Sequence, residues 1–301
     1  MFGIRRSAAV SAVAAALGGL SVFGVAPVHA QTPAQPAPPA AERRLSITDA
    51  VELALKQNAD GTLGLPQASL THLILHPMAR LALHTHPRSL ELLYVLKGMA
   101  RLRTGAGQLT IANAGDVIVA PAGVPHNIEA APLASLTLIQ IFTPAGPEHA
   151  YRDARDRTGT VPITKAAASR IVVGNEGLPA MVVAAGSAKS YPIAAGRGEA
   201  ALLLDGLDLG AASLQRFEAQ SGAEVPEHVH DRADELLYIV SGAAEMTIAG
   251  RAISVAAGDA IHLPMGTAHA LRVTEKLVAV QCYAPSGPEQ RFKPKPAPPS
   301  P

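Results

Sequence analysis

One spacing occurs twice in this chain and leaves few folds open to it. The second copy reads Gly222-x5-His228-x-His230-x4-Glu235-x6-Gly242, then Gly258-x5-Pro264-x-Gly266-x2-His269. The first copy reads His84-x-His86-x4-Glu91-x6-Gly98, then Gly115-x5-Pro121-x-Gly123-x2-His126, with Met78 where the second copy opens on Gly222. Residues i and i+2 of a strand share a face, so each His-x-His reads as two imidazoles pointing the same way. Glu235 follows a turn-like segment, Asp231-Arg232-Ala233-Asp234, and opens the apolar run Leu236 to Val240; His269 comes from a later strand. Three imidazole nitrogens with one carboxylate oxygen suit a borderline or hard divalent metal, and leave open positions on a six-coordinate ion.

The copies agree beyond the ligand-type residues. Glu-Leu-Leu-Tyr-Val-Leu-Lys-Gly from Glu91 matches Glu-Leu-Leu-Tyr-Ile-Val-Ser-Gly from Glu235, and Pro144-Ala-Gly-Pro-Glu148 matches Pro285-Ser-Gly-Pro-Glu289. A lone His-x-His would say little; eight ligand-type residues at two matching sets of spacings say much more. The two segments of each copy resemble the cupin superfamily. An Asn that the family often carries after the last His is present as Asn127 but replaced by Ala270 in the second copy. The resemblance implies an all-β chain of two tandem jelly-roll barrels, with a short N-terminal helix and disordered ends. It also implies one metal held by His84, His86, Glu91 and His126, and another held by His228, His230, Glu235 and His269. Manganese or iron is favoured at both; raw affinity does not separate them from zinc, nickel, copper or cobalt.

Composition removes several alternatives. The net charge of +1 gives no electrostatic reason to expect nucleic acid or an anionic membrane as a partner. A single cysteine, Cys282, excludes an intramolecular disulfide and a Cys-based metal site or redox pair. There is no Trp, and Tyr and Phe number five each, so a ligand pocket must be lined mostly by aliphatic groups. That counts against a stacking platform for sugars or bases.

In chain order, residues 1–30 read as a signal peptide. Arg5 and Arg6 begin it, an Ala-rich apolar run follows, and Val28-His29-Ala30 offers a small-residue cleavage site. Periplasmic or secreted location follows, without stable membrane insertion after cleavage. Residues 31–45 form a Pro-rich linker. Residues 46–60 read as a helix, with Ile47, Ala50, Val51, Ala54 and Leu55 on one face and a capping-box-like Ser46-x-x-Asp49. The first barrel spans 61–153, with strands expected at Leu70–Leu75, Arg80–His86, Leu92–Leu96, Ala100–Arg103, Gln108–Ile111, Val117–Ala120 and Leu136–Phe142. An inter-domain segment spans 154–180, with one strand at Ile171–Val173. The second barrel spans 181–292, and a Pro-rich tail occupies 293–301.

Four residues stand out as catalytic candidates. Arg80 precedes His84 by four and would share its face on a continuous strand; Glu224 is its counterpart in the second copy. The guanidinium could pair with a substrate carboxylate and the carboxylate could carry a proton, although both also suit a solvated rim. Gln140 and Gln281 recur at matching places in the closing strands, where an amide could orient a ligand or simply be a satisfied buried group. Tyr94 and Tyr238 fall opposite Glu91 and Glu235, and Cys282 opposite Gln281, so packing is expected of them. His72, His76, His149 and His262 have no repeat partner and read as incidental.

The leading expectation is an exported metal-dependent enzyme of the dioxygenase or decarboxylase type. An open metal position would take a small oxygenated substrate as a chelate, or dioxygen. The resemblance extends to the oxalate enzymes in its paired barrels and in one His3Glu set per barrel. The alternative is a non-catalytic cupin that holds a metal or small ligand; a sugar isomerase is disfavoured by the shortage of aromatic residues. Edge strands in cupins often pair between subunits, so a homo-oligomer is compatible with the pattern.

Overall fold

The run from Glu91 is apolar at almost every position, and the fold shows why. In the computed structural model, which describes residues 5–6, 67–104, 107–148, 161–162, 177–206 and 209–294, this run is strand β4 (Leu90–Lys97). Glu91, Leu93 and Val95 face the inside of a barrel, while Leu90, Leu92 and Tyr94 face a second lobe. A strand buried on both faces has no polar alternation to show.

The first lobe is built from two five-stranded antiparallel sheets. One has the order β11-β7-β4-β9-β2: β11 (Met181–Val183), β7 (Val117–Ala120), β4, β9 (Leu136–Thr143) and β2 (Ser69–Leu75). The other has the order β10-β3-β8-β5-β6: β10 (Val161–Pro162), β3 (Arg80–Thr85), β8 (His126–Ala130), β5 (Met99–Thr104) and β6 (Leu109–Asn113). Leu93, Leu102, Ile118, Ile128, Leu136 and Leu138 fill the space between them. β11 begins where the sequence places the start of the second barrel, yet it pairs with β7 of the first.

The second lobe repeats this plan with longer strands. β16 (Asp234–Ile248) and β19 (His269–Ala284) each run through what in the first lobe are two strands. The sheet order is β1-β18-β16-β19-β14-β13-β12, with β15 (Glu224–His228) on β19 and β17 (Arg251–Ala256) on β16. The remaining members are β1 (Arg5–Arg6), β18 (Asp259–Leu263), β14 (Ser213–Ala219), β13 (Gly198–Leu204) and β12 (Lys189–Ile193). Phe217, Leu237, Ile239, Met246 and Val273 are among the residues that form its interior.

The lobes share a core. Leu90, Leu92, Tyr94, Val119, Ile139 and Ile141 of the first pack with Leu214, Leu236, Tyr238, Val280 and Cys282 of the second. Tyr94, Tyr238 and Cys282 therefore pack, as strand alternation requires. His72 is not incidental: it stacks on Tyr238 across this boundary, ring centroids 5.6 Å apart and nearly parallel.

Glycine is obligatory at one matched pair of turns. Gly98 and Gly242 have φ of +88° and +83°, and a Cβ at Gly242 would lie 2.0 Å from the Lys276 carbonyl oxygen. Met78, standing where the second copy has Gly222, also adopts positive φ (+63° against +75°). The backbone shape is kept although the residue suited to it is not.

The expected leader apart from Arg5 and Arg6, the linker, the helix over 46–60, the strand at Ile171–Val173, residues 151–160 and the tail beyond 294 lie outside the described residues. Among the described residues no helix is long and apolar enough to cross a membrane. Strand β8 was not anticipated as a separate element. Its sequence, His-Asn-Ile-Glu-Ala, carries one large apolar residue, and it is held by pairing to β3 and β5.

Candidate metal centres

The register of the strands brings the repeated residues together. In the first lobe His84 on β3 is the cross-strand partner of His126 on β8, and in the second His228 on β15 is the partner of His269 on β19. A register irregularity precedes the pair in both lobes, between Leu81 and His84 and between Val225 and His228. Such a shift re-aims side chains near a site. His86 and His230 lie just past the ends of their strands rather than on them. Glu91 enters from the facing sheet on β4, and Glu235 from β16.

Each set converges to a point. One ligand atom from each of His84, His86, Glu91 and His126 lies within 4.8 Å of all the others, and the same is true of His228, His230, Glu235 and His269. Backbone carbonyls accept from Nδ1 of four of these rings: Ala82 from His84 (2.7 Å), Val124 from His126 (2.9 Å), Pro226 from His228 (2.8 Å) and Thr267 from His269 (2.8 Å). A carbonyl can only accept, so Nδ1 carries a proton and Nε2 is the nitrogen turned inward, the one that would ligate a metal once it is unprotonated.

In the second lobe Nε2 of His228, His230 and His269 and Oε2 of Glu235 are buried without a well-formed hydrogen bond, with His230 and His269 Nε2 each 3.0 Å from Glu235 Oε2. Four orphaned buried atoms aimed at one another would be costly in a site built only for packing. They fit a divalent cation, which three imidazoles and a carboxylate would hold while leaving positions open. The first lobe has the same convergence with less even spacing: His126 Nε2 is 2.7 Å and His86 Nε2 3.3 Å from Glu91 Oε2.

Electrostatics follow from burial and contact. Burial pushes Glu91 and Glu235 upward, but their close contacts with His126 and His86, and with His230 and His269, outweigh it and hold both carboxyls well below the usual range. Burial lowers His84 and His228 to about 4. Burial also acts to lower His126 and His269, but the adjacent carboxylates win and both are raised.

Both glutamines hold the metal-facing carboxylates. Gln140 donates to Glu91 Oε1 and Gln281 to Glu235 Oε1, each at 2.5 Å, leaving Oε2 for the cluster. Their role is to position a carboxylate, as groups behind metal ligands commonly do. Arg80 is exposed at the start of β3. Glu224 is exposed too, yet it lies on the wall of a cavity of about 640 Å3 in the second lobe that reaches His228, Glu235 and His269.

Three features escaped the sequence reading. Gln215 donates to Gln281 Oε1 at 2.9 Å and holds that amide from behind. His262 pairs with Asp234 at 2.7 Å, and Asp234 also accepts from the Met265 amide, which pins the turn before His269. Its first-lobe equivalents, Leu90 and Val119, are apolar, so the repeat gave no signal. Phe142 and Tyr283 each set a ring edge on the second histidine of their lobe, with centroids 4.9 Å from His86 and His230.

The family model of the cupin domain matches this chain twice, over residues 71–142 and 215–283. The chain is a bicupin of the cupin superfamily. No curated protein matches it. Among solved structures the bicupin is similar to an oxalate decarboxylase from Lactobacillus farciminis in complex with formate, at 19% identity and TM-score 0.55, covering 73% of this chain and 77% of that one. It is similar to an oxalate decarboxylase mutant from Bacillus subtilis, at 21% identity and TM-score 0.53, covering 74% and 70%. A further structure from Bacillus subtilis concerns the Mn(II) centres of oxalate decarboxylase, at 20% identity and TM-score 0.53, with coverage of 74% and 70%. Identities this low establish a common fold.

Proposed function

We propose that this bicupin is an exported metal-dependent enzyme of the decarboxylase or dioxygenase type, acting on a small oxygenated substrate with one divalent ion in each lobe. The observation that carries the reading is the pair of His3Glu clusters, of which the second opens onto a 640 Å3 cavity. Manganese or iron suits this donor set, and the Mn(II) centres named for a fold relative support manganese. Export rests on the leader-like residues 1–30. A bound ion would supply Lewis acidity or a redox-active centre beside the substrate. The protein's own part is to hold that centre and shield it from bulk water: Gln281 fixes Glu235, backbone carbonyls fix His228 and His269, and Leu237, Ile239 and Met246 line the cavity. Glu224 at the cavity wall is placed to exchange a proton with solvent.

One observation favours a second reading for the first lobe, that it holds metal without doing chemistry. Arg80 faces solvent and Gln140 is committed to Glu91, so neither candidate there is placed to act on a substrate.

The test is metal content of the purified protein, followed by oxygen uptake and carbon dioxide release with a panel of small carboxylates and diols. Two equivalents of metal, with turnover abolished by His228→Ala and retained in His84→Ala, are expected. Stoichiometric metal without turnover on any panel member would favour the binding reading. Failure of both sites to take metal would overturn the assignment.

A further inference from the structure

The two lobes share their ligands but differ at the second site's mouth. After β19 the chain turns through a short 3-10 segment, Pro288–Phe292. This segment is anchored from inside by Glu289, which is fully buried. Its carboxylate accepts from Ser213 Oγ at 2.9 Å, from the Gly287 amide at 2.6 Å and from Gln290 Nε2 at 2.7 Å. The anchored segment sets Arg291 on the cavity that holds His228, Glu235 and His269. Arg291 Nη2 donates to the Tyr283 hydroxyl at 3.1 Å, and the guanidinium lies 5.9 Å from the Tyr283 ring centroid and 5.3 Å from that of Phe292. Tyr283 thus links the arginine to the metal cluster, since its ring edge rests on His230.

No carboxylate among the described residues forms an ion pair with Arg291. One hydrogen bond to a phenol leaves most of a guanidinium's planar donor fork unused. Besides the metal-facing residues and Gln281, the wall carries two other charged groups, Glu224 and Arg197, which donates to the Ser221 carbonyl at 3.2 Å; most of what remains is apolar, including Phe217, Leu237, Ile239, Met246, Leu271 and Leu277. The sequence of the first copy does not repeat these residues. The matched tails put Ala150 opposite Arg291, and Phe142, with no hydroxyl, stands opposite Tyr283.

We propose that the second lobe is the substrate-binding lobe, and that its ligand is an amphipathic monocarboxylate: a carboxylate paired with Arg291 and an aliphatic body along Leu237, Ile239, Met246 and Leu271. The inference rests on the metal-site reading above and adds the class of ligand. A dianion as small as two joined carboxylates has no aliphatic body to set against the Leu237, Ile239, Met246 and Leu271 side chains. A body of about five or six carbons removes that surface from water at about 0.8 kcal/mol per methylene.

The experiment is calorimetric titration of hexanoate, with hexanamide as the uncharged control, into the metal-loaded full chain, its Arg291→Gln variant and its Arg291→Lys variant. The expected result is one hexanoate per chain. Arg291→Gln should weaken it about tenfold to a hundredfold, as loss of a charge-assisted hydrogen bond does. Arg291→Lys should fall between, keeping the charge and losing the fork, while hexanamide binds all three proteins alike. Metal content and melting temperature, measured on the same samples, show that the variants are folded and loaded. Hexanoate binding that ignores Arg291, equal loss of hexanoate and hexanamide, or no hexanoate binding to loaded protein would each overturn the proposal. Turnover plays no part in this readout, so absence of an enzymatic activity would strike the functional reading alone.

Discussion

Gln281 Nε2 lies 2.5 Å from Glu235 Oε1, and Gln215 holds the other end of the same amide. The carboxylate therefore has one oxygen fixed by the protein and the other, Oε2, turned to the cluster. Replacing Gln281 by Leu should lower metal affinity in the second lobe roughly 10- to 100-fold, the usual cost of removing a group that orients a ligand. Gln140→Leu should do the same in the first lobe, where Gln140 Oε1 has no partner behind it. Gln215→Leu, one step further out, should cost less than Gln281→Leu. Competition with a metal-sensing chelator measures all three, and equal affinities across the set would show that the amides do not position the carboxylates.

Protons and metal compete for the same atoms, which fixes the sign of the pH dependence. His84 and His228 are lowered to about 4, chiefly by burial, from an ordinary value of 6.5. Between these limits the unfolded chain binds more protons than the folded one. Their contribution to the stability of the metal-free protein is therefore complete above pH 6.5 and is lost as pH falls toward 4. His126 and His269 are raised because, despite burial, they bond Glu91 and Glu235, and each must give up its Nε2 proton to take a metal. Metal affinity should rise with pH through neutrality, with about one proton released per site. Titration in buffers of different ionisation enthalpy reads that release directly; a buffer-independent heat would contradict it.

The sequence disclosed the ligands because metal chemistry ties residue type to spacing, and because the pattern was written twice. The same logic explains what it concealed. Arg291, Tyr283, Gln215 and the Asp234–His262 pair occur once; Gln215 and Asp234 act through partners far along the chain, and Arg291 through Tyr283 on the strand before its turn. β8 was hidden because its stability comes from two neighbouring strands rather than from its own apolar content. Arg80 looked close to the metal on a continuous strand, but the register irregularity between Leu81 and His84 breaks the alternation on which that expectation stood.

Two backbone positions should respond in opposite directions. At Gly242, φ is +83° and an added Cβ would meet the Lys276 carbonyl at 2.0 Å, so Gly242→Ala must move the β16–β19 pairing. A loss of about 2–4 kcal/mol is expected, from strain and overpacking together. Met78 is 74% exposed and carries φ of +63°, so it bears the left-handed strain with little packing to lose. Met78→Gly should stabilise by about 0.5–1 kcal/mol, the relief of strain exceeding the added freedom of the unfolded chain. Urea unfolding of the metal-free proteins would measure both, and a destabilised Met78→Gly would mean that the side chain is held by contacts of its own.

The shared core predicts that the lobes unfold as one. Leu92 is fully buried between them, together with Tyr94, Ile141, Leu236 and Val280. Leu92→Ala should cost about 2–5 kcal/mol, the range for a large-to-small change in a close-packed interior. Because Leu92 sits two strand positions from Tyr94 and one from Glu91, the cavity would lie on the outer face of the strand that carries a metal ligand. The metal-free protein should still melt in a single transition, shifted down, and in the metal-loaded protein both lobes should release their metal over the same temperature range. Two separated transitions in Leu92→Ala, with only the first lobe's moved, would show that the boundary between lobes contributes little to cooperativity. The metal-loaded protein extends the test: an ion bound only to the folded second lobe raises its stability by mass action. If the lobes are coupled through this core, loading the second site in a His84→Ala background raises the melting temperature of the whole chain.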